Sequence, residues 1–278
     1  MAWITAATAL FMVAAQPRVS AAQLQPETVA AWDAYVRATE ARITRELASD
    51  RGFLATDFTR DAAADRRAVA RGEIPVAQVS SVNGQGEDIE VPGGLVHHWR
   101  GSVFIPGATI DEILDRVANP RAADTAQEDV LSSRVLARGP GSLQLYLRLQ
   151  RSQIVTVVYD TEHAVKYHRY GPARASSRSV ATKIAEVSDP GGPNEAEKPI
   201  GNDRGFLWKL NSYWRYSQVD GGVIVELESI SLSRSVPTLL RVTVRPLINM
   251  VARGSMERTL ASMRDRLAVT GTRADGGQ

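Results

Sequence analysis

Between Val130 and Arg234 the chain passes through six stretches in which apolar and polar residues alternate, and a single pattern of helical spacing follows them. No other feature constrains the fold as strongly. Alternating stretches joined by short turns make antiparallel strands with one buried face, and a lone amphipathic helix after them can bury its stripe only against that face. The expected fold is therefore α+β: a curved antiparallel β-sheet wrapped around a long C-terminal helix, with room between them for an apolar molecule.

The six stretches are Val130 to Ala137, Leu143 to Leu149, Ile154 to Lys166, Ser176 to Val187, Gly205 to Ser217 and Val223 to Ser233. Gly139-Pro140-Gly141, Arg151-Ser152 and Asp220-Gly221-Gly222 supply turns between some of them. Asp189 to Asp203, polar and rich in proline and glycine, reads as an exposed loop. Pro237 and Pro246 bracket a short apolar piece, after which Leu247, Met250, Val251, Gly254, Met256, Leu260, Met263 and Leu267 form the helical stripe. Its methionines fit plain core packing, and they equally fit a pliable wall against an irregular apolar ligand.

Upstream, Pro26 to Ser49 is predicted to be an amphipathic helix, with proline in its first turn and Val29, Trp32, Tyr35, Val36, Thr39, Ile43 and Leu47 at helical spacing. It reads as a packing helix, with a partner-binding helix as the alternative. Arg51 to Thr59 reads as a strand, Asp61 to Arg71 as a helix and Ile74 to Val82 as a strand. Asn83 to Gly86 and Pro92-Gly93-Gly94 are breaks, Leu95 to Ile105 is a strand, and Ile110 to Ala118 is a helix capped at or near Thr109.

At the N-terminus, Ala2 to Ala15 is almost wholly apolar and Val19-Ser20-Ala21 offers small residues before Ala22, the pattern of a cleaved secretory signal. Met1-Ala2-Trp3 lacks the basic residues such signals usually carry; a retained anchor is the alternative, but the stretch is shorter than the roughly 20 residues of a spanning helix. The expected division is 1–22 signal, 23–92 an N-terminal helical and β extension packed on the main domain, 93–268 the main domain, and 269–278 a flexible tail. The expected location is periplasmic or extracellular.

The chain has no cysteine, which excludes disulfides, thiolate nucleophiles and sulfur-ligated metals. Its net charge of +2, with both signs interspersed, gives no footprint for nucleic acid.

From about Gly94 to Leu267 the order of elements resembles the START-like superfamily, the helix-grip proteins that include lipid-transfer START domains, birch-pollen-allergen proteins and polyketide cyclases. The residues that carry the resemblance are Val96-His97-His98-Trp99-Arg100-Gly101 leading into Phe104-Ile105-Pro106-Gly107, then Phe206 to Val219 with Trp208, Tyr213 and Trp214, then Gly221 to Glu226, and Ser235-Val236-Pro237 before the last helix. The resemblance implies an apolar cavity roofed by the terminal helix. Its partner would be a hydrophobic small molecule or lipid, with transient membrane contact. It implies no cofactor and does not fix an oligomeric state.

His98, Phe206, Trp208, Trp214, Val225, Leu227, Met250, Met256, Leu260 and Met263 are the candidate lining. On strand parity, Phe206, Trp208, Leu210 and Trp214 face inward, with Lys209, Asn211, Tyr213 and Arg215 outward. Val223, Val225 and Leu227 face inward and Glu226 and Glu228 face water; the opposite parity would place two carboxylates in the cavity, a possible acid and base pair. His97 and His98 point to opposite faces, as do His163 and His168, so neither pair is expected to bind a metal. No nucleophile elbow, phosphate loop or dinucleotide fingerprint occurs. Binding is the leading expectation; a cyclase-like or hydrolase-like enzyme and an envelope interaction protein with a filled interior are the alternatives.

Overall fold

The computed structural model describes residues 22–120, 129–152, 156–235 and 241–271. The expected signal segment, the Val236-Pro237 junction and the end of the tail lie outside these residues.

Alternation becomes strands as expected. After β1 (Ala22–Gln23), β2 (Val76–Gln78) and β3 (Gly94–Pro106) come β4 (Val130–Gly139), β5 (Ser142–Ser152), β6 (Thr156–Arg169), β7 (Arg174–Ser188), β8 (Ala196–Glu197), β9 (Asn202–Asp203), β10 (Lys209–Val219) and β11 (Gly222–Arg234). Among the described residues the main sheet runs β2-β3-β11-β10-β7-β6-β5-β4, with β8 on β7, and its pairs are antiparallel. Strand β3 pairs with the last strand, so the first and last long strands of the main domain are stitched together near the β2 edge of the sheet. Register shifts in β4–β5 and β6–β7 bend the sheet, as bulges do.

The helices are α1 (Pro26–Leu47), α2 (Ala62–Ala70), α3 (Ile110–Ala118) and α4 (Arg241–Gly271). Helix α3 begins at a capping box: Glu112 N–H donates to Thr109 Oγ1 at 3.3 Å and Thr109 N–H donates to Glu112 Oε2 at 2.8 Å. Helix α4 starts before Pro246, expected to mark a boundary, and takes the proline in its second turn, where a single backbone bond is forgone.

The expected strand from Arg51 to Thr59 is instead a loop closing in a 3-10 turn at Ala55–Phe58. The Asp57 carboxylate accepts from the N–H groups of Phe53 and Leu54 at 2.8 and 3.0 Å, curling the backbone locally where a strand would have paired with a neighbour.

Both faces of the sheet carry a core. On the inner face Trp99, Val103 and Ile105 of β3, Val223, Val225 and Leu227 of β11 and Tyr216 of β10 pack with Ile110 and Ile113 of α3 and with Met256, Leu260 and Leu267 of α4. Helix α4 lies against β3 and β2. The approach is closest at Gly101, where an added Cβ would come within 2.7 Å of Leu260 and 3.1 Å of Met256 Sδ. On the outer face α1 lies over β10 and β11, burying Trp32, Tyr35 and Ile43 with Tyr213, Ile230 and Leu232.

Candidate functional site

The sheet's inner face has a gap in its packing. Along β11, Val223, Val225 and Leu227 are buried, but the next inward residues, Ser229 and Ser231, are only half-buried. Their neighbours are in the same state: Ser212 and Leu210 on β10 opposite Ser229 and Ser231, Ser179 on β7 opposite Ser212, and His97 on β3 opposite Ser231. Beyond these, at the β5–β6–β7 end, Leu149, Val157, Tyr159 and Ile184 close up again into a small core with Leu207. Short side chains flanked by two packed ends mark the part of this face that is least completely filled, beside half-buried Trp214 and Met263.

Imidazoles and hydroxyls occupy the middle of this face, and the charged groups Glu186, Arg151 and Arg204 lie near Tyr159 at its β5–β6–β7 end. His97 shares a hydrogen bond of 2.9 Å with Ser233, and His163 one of 3.0 Å with Thr161. Burial lowers each imidazole to about 4, so both are uncharged at neutral pH. Trp99 Nε1 and Tyr159 Oη of this face have no hydrogen-bond partner among the described residues. The Tyr159 phenol is raised above its ordinary range by burial. At the far end Glu186 receives Lys198 Nζ at 2.5 Å and the Arg204 N–H at 2.8 Å.

The candidate lining residues divide between the two faces. Trp214, Val225, Leu227, Met256, Leu260 and Met263 belong to the inner-face cluster. Met250, on α4, is 63% exposed, and Phe206 is exposed beneath the Arg234 guanidinium. Trp208 lies in the outer core under α1, its Nε1 donating to Asp203 at 3.1 Å. The parity count fails for these two aromatics because both precede the start of β10 at Lys209, in a segment turned by Gly205 at φ +73°. His98 is also on the outer face; its Nδ1 meets Tyr35 Oη at 2.8 Å and its Nε2 meets Glu228 Oε1 at 2.7 Å.

Glu226 and Glu228 do face outward, but not into water: both are almost fully buried under the N-terminal extension. Glu226 accepts from the N–H groups of Ala55 and Thr56 at 2.6 and 3.0 Å. Its carboxyl is raised by burial, against the pull of Arg215 and those N–H groups. Glu228 pairs with Arg42 and His98, and Arg215 reaches Glu46 at 2.5 Å and donates to the Phe53 carbonyl at 2.8 Å. These acids therefore fasten α1 and the 3-10 turn to the sheet, on the opposite side from the interior. Sequence pattern had missed His97, Trp99 and the serines as inner-face groups; strand parity pointed to them, since they alternate with His98, Arg100 and the glutamates. Among the described residues, no group of three or more His, Asp or Glu side chains is placed to hold a metal ion.

No family model and no curated protein matches the chain. Solved structures do. A STAR-related lipid transfer protein fragment from Xanthomonas axonopodis is 18% identical, over 68% of this chain and 98% of that one, with a TM-score of 0.44. The Zhui aromatase/cyclase from Streptomyces sp. R1128 is 14% identical over 66% and 100%, at 0.42. Human STARD10 is 10% identical over 77% and 83%, also at 0.42. By its own element order, with the first long strand beside the last and the terminal helix across the inner face, the chain has a helix-grip fold.

Proposed function

We propose that this protein binds or carries an apolar small molecule in the interior between the sheet and α4. The observation that carries the reading is the half-buried serine floor of Ser179, Ser212, Ser229 and Ser231, set where an ordinary core would place large side chains. Binding would draw on burial of ligand surface at about 25 cal/mol per Å², less the cost of ordering. A catalytic reading built on Glu226, Glu228 or His98 loses its residues, which lie across the sheet from the interior.

The test is to fill the floor. Wild-type protein is titrated with N-phenyl-1-naphthylamine, a neutral apolar dye whose fluorescence rises on burial, alongside a Ser212→Phe, Ser229→Leu variant. The expected result is saturable binding by the wild type and an affinity loss of about tenfold or more in the variant, with no fall in thermal stability. A variant that binds the dye equally well, or that is strongly destabilised by overpacking, would refute an open interior.

The reading includes export, supported by the apolar run from Ala2 to Ala15 and the small residues Val19-Ser20-Ala21. Protein recovered from periplasmic extract or medium should start at or near Ala22 on N-terminal sequencing. Retention of Met1 would remove cleavage from the proposal.

A further inference from the structure

We infer that the interior selects an uncharged apolar molecule bearing an acceptor oxygen, such as a carbonyl or ether, and that Trp99 Nε1 donates the hydrogen bond that orients it. This rests on the interior being a ligand chamber and adds the chemical class of the ligand. Trp99 is 8% exposed, and its indole N–H has no hydrogen-bond partner among the described residues. An indole N–H donates and never accepts, so only a ligand atom with a lone pair, or a water holding its place, can satisfy it.

The position of that donor matters. Trp99 is opposite Ser229 in the β3–β11 register, Ser229 is opposite Ser212, and Ser212 is opposite Ser179. The residue that carries the orphan donor thus stands at the end of the same row of short side chains on the sheet. A row of small residues alone would indicate only space; the unpartnered N–H beside it indicates what part of a guest should come to rest there.

Charge narrows the class further. On this part of the inner face the polar groups are hydroxyls, indole and imidazoles, and burial holds His97 and His163 neutral. Arg215, Glu226 and Glu228 of β10 and β11 are on the other face, and at the far end Glu186 is already paired with Lys198 and Arg204, and Arg151 with Asp129. An ionic guest at the serine row would be stripped of water beside charges that are already paired with one another, whereas a neutral oxygen would meet a waiting donor. Tyr159 Oη is a second unpartnered atom, at the β5–β6–β7 end, but a hydroxyl both donates and accepts and so does not discriminate.

The experiment compares 2-tridecanone with 1-tridecene, equal in chain length and differing in the oxygen, as displacers of N-phenyl-1-naphthylamine from wild-type protein, W99F and W214F. Phenylalanine keeps an aromatic body at position 99 and removes the N–H. W99F should weaken the ketone about two- to tenfold, the net worth of one neutral hydrogen bond, and leave the alkene within about twofold. W214F, on the same face, should change both displacers alike. Equal shifts for ketone and alkene in W99F would overturn the assignment to Trp99 while leaving the chamber standing. Failure of the wild type to bind the dye or either displacer would defeat the chamber reading and this one with it. Should W99F not fold, the wild type decides by proton NMR: an indole N–H resonance should move downfield with saturating ketone and not with alkene, and the absence of that movement would overturn the inference.

Discussion

Replacing Glu228 by glutamine should cost stability in a way that depends on pH, and the dependence follows from the residue's surroundings. Burial alone would raise the Glu228 carboxyl, but the His98 hydrogen bond and the Arg42 guanidinium outweigh it and hold the group at about 2, below its ordinary 4.5. Facing it are Arg42 of α1, His98 of β3 and Arg215 of β10, with Glu46 and Glu226 nearby. A carboxyl depressed on folding adds stability that is fully present above its unfolded value and is lost as pH falls through its folded value. A shift of that size corresponds to about 3 kcal/mol at neutral pH. Glu228→Gln should therefore be destabilised by about 3 kcal/mol at pH 7, and the gap from wild type should shrink to about 1 kcal/mol at pH 3, where the wild-type carboxyl is protonated in the unfolded chain. Glu226, shifted upward, adds its own acid dependence to both proteins and cancels in the difference. Urea titrations followed by circular dichroism at the two pH values measure both gaps. A gap below about 1 kcal/mol at pH 7, or one unchanged at pH 3, would refute the argument.

Three further outcomes are expected. Gly101→Ala places a methyl 2.7 Å from Leu260 and 3.0 Å from Val76 and should lift α4 from β3, lowering stability by about 1–3 kcal/mol in a thermal or urea melt. Thr109→Ala removes the cap of α3 and should cost about 1 kcal/mol, with dye affinity in the interior unchanged. Met250→Ala, at a side chain that is 63% exposed, should leave both stability and dye binding within experimental error, whereas Leu260→Ala should cost about 2–5 kcal/mol.

Alternation made the strands legible because the period-two signal is local: each of the six stretches from Val130 to Ser233 reports its own buried face. The inward set on β11, Val223, Val225 and Leu227, was readable for the same reason. What covers the other face was not. Glu226 and Glu228 look like solvent residues in any local window, and only the 3-10 turn and α1, 171 and 186 residues upstream, make them interior. Arg215 gave the same misleading sign. Parity does not reach Trp208 and Phe206, which precede β10 in the segment turned by Gly205, and it gives His97 and His98 opposite faces without saying which is inward. The residues that define the opening are serines, which carry no apolar signal; their message was in what they failed to fill.

Because β10 and β11 are buried on both sides, each of them acts as a partition between two compartments with separate tasks. Successive residues answer to different demands: Leu227, Ser229 and Ser231 to whatever occupies the interior, Glu226, Glu228 and Ile230 to the grip of the N-terminal extension. On the proposed reading, a mutational library drawn only from Leu210, Ser212, Ser229 and Ser231 should retune the guest while leaving the clasp of α1 and the inner core intact. The complementary library should alter thermal endurance and spare selectivity. Selection on such a strand can act on two traits interleaved at single-residue intervals, which makes the polypeptide in this region two scripts written on alternate letters.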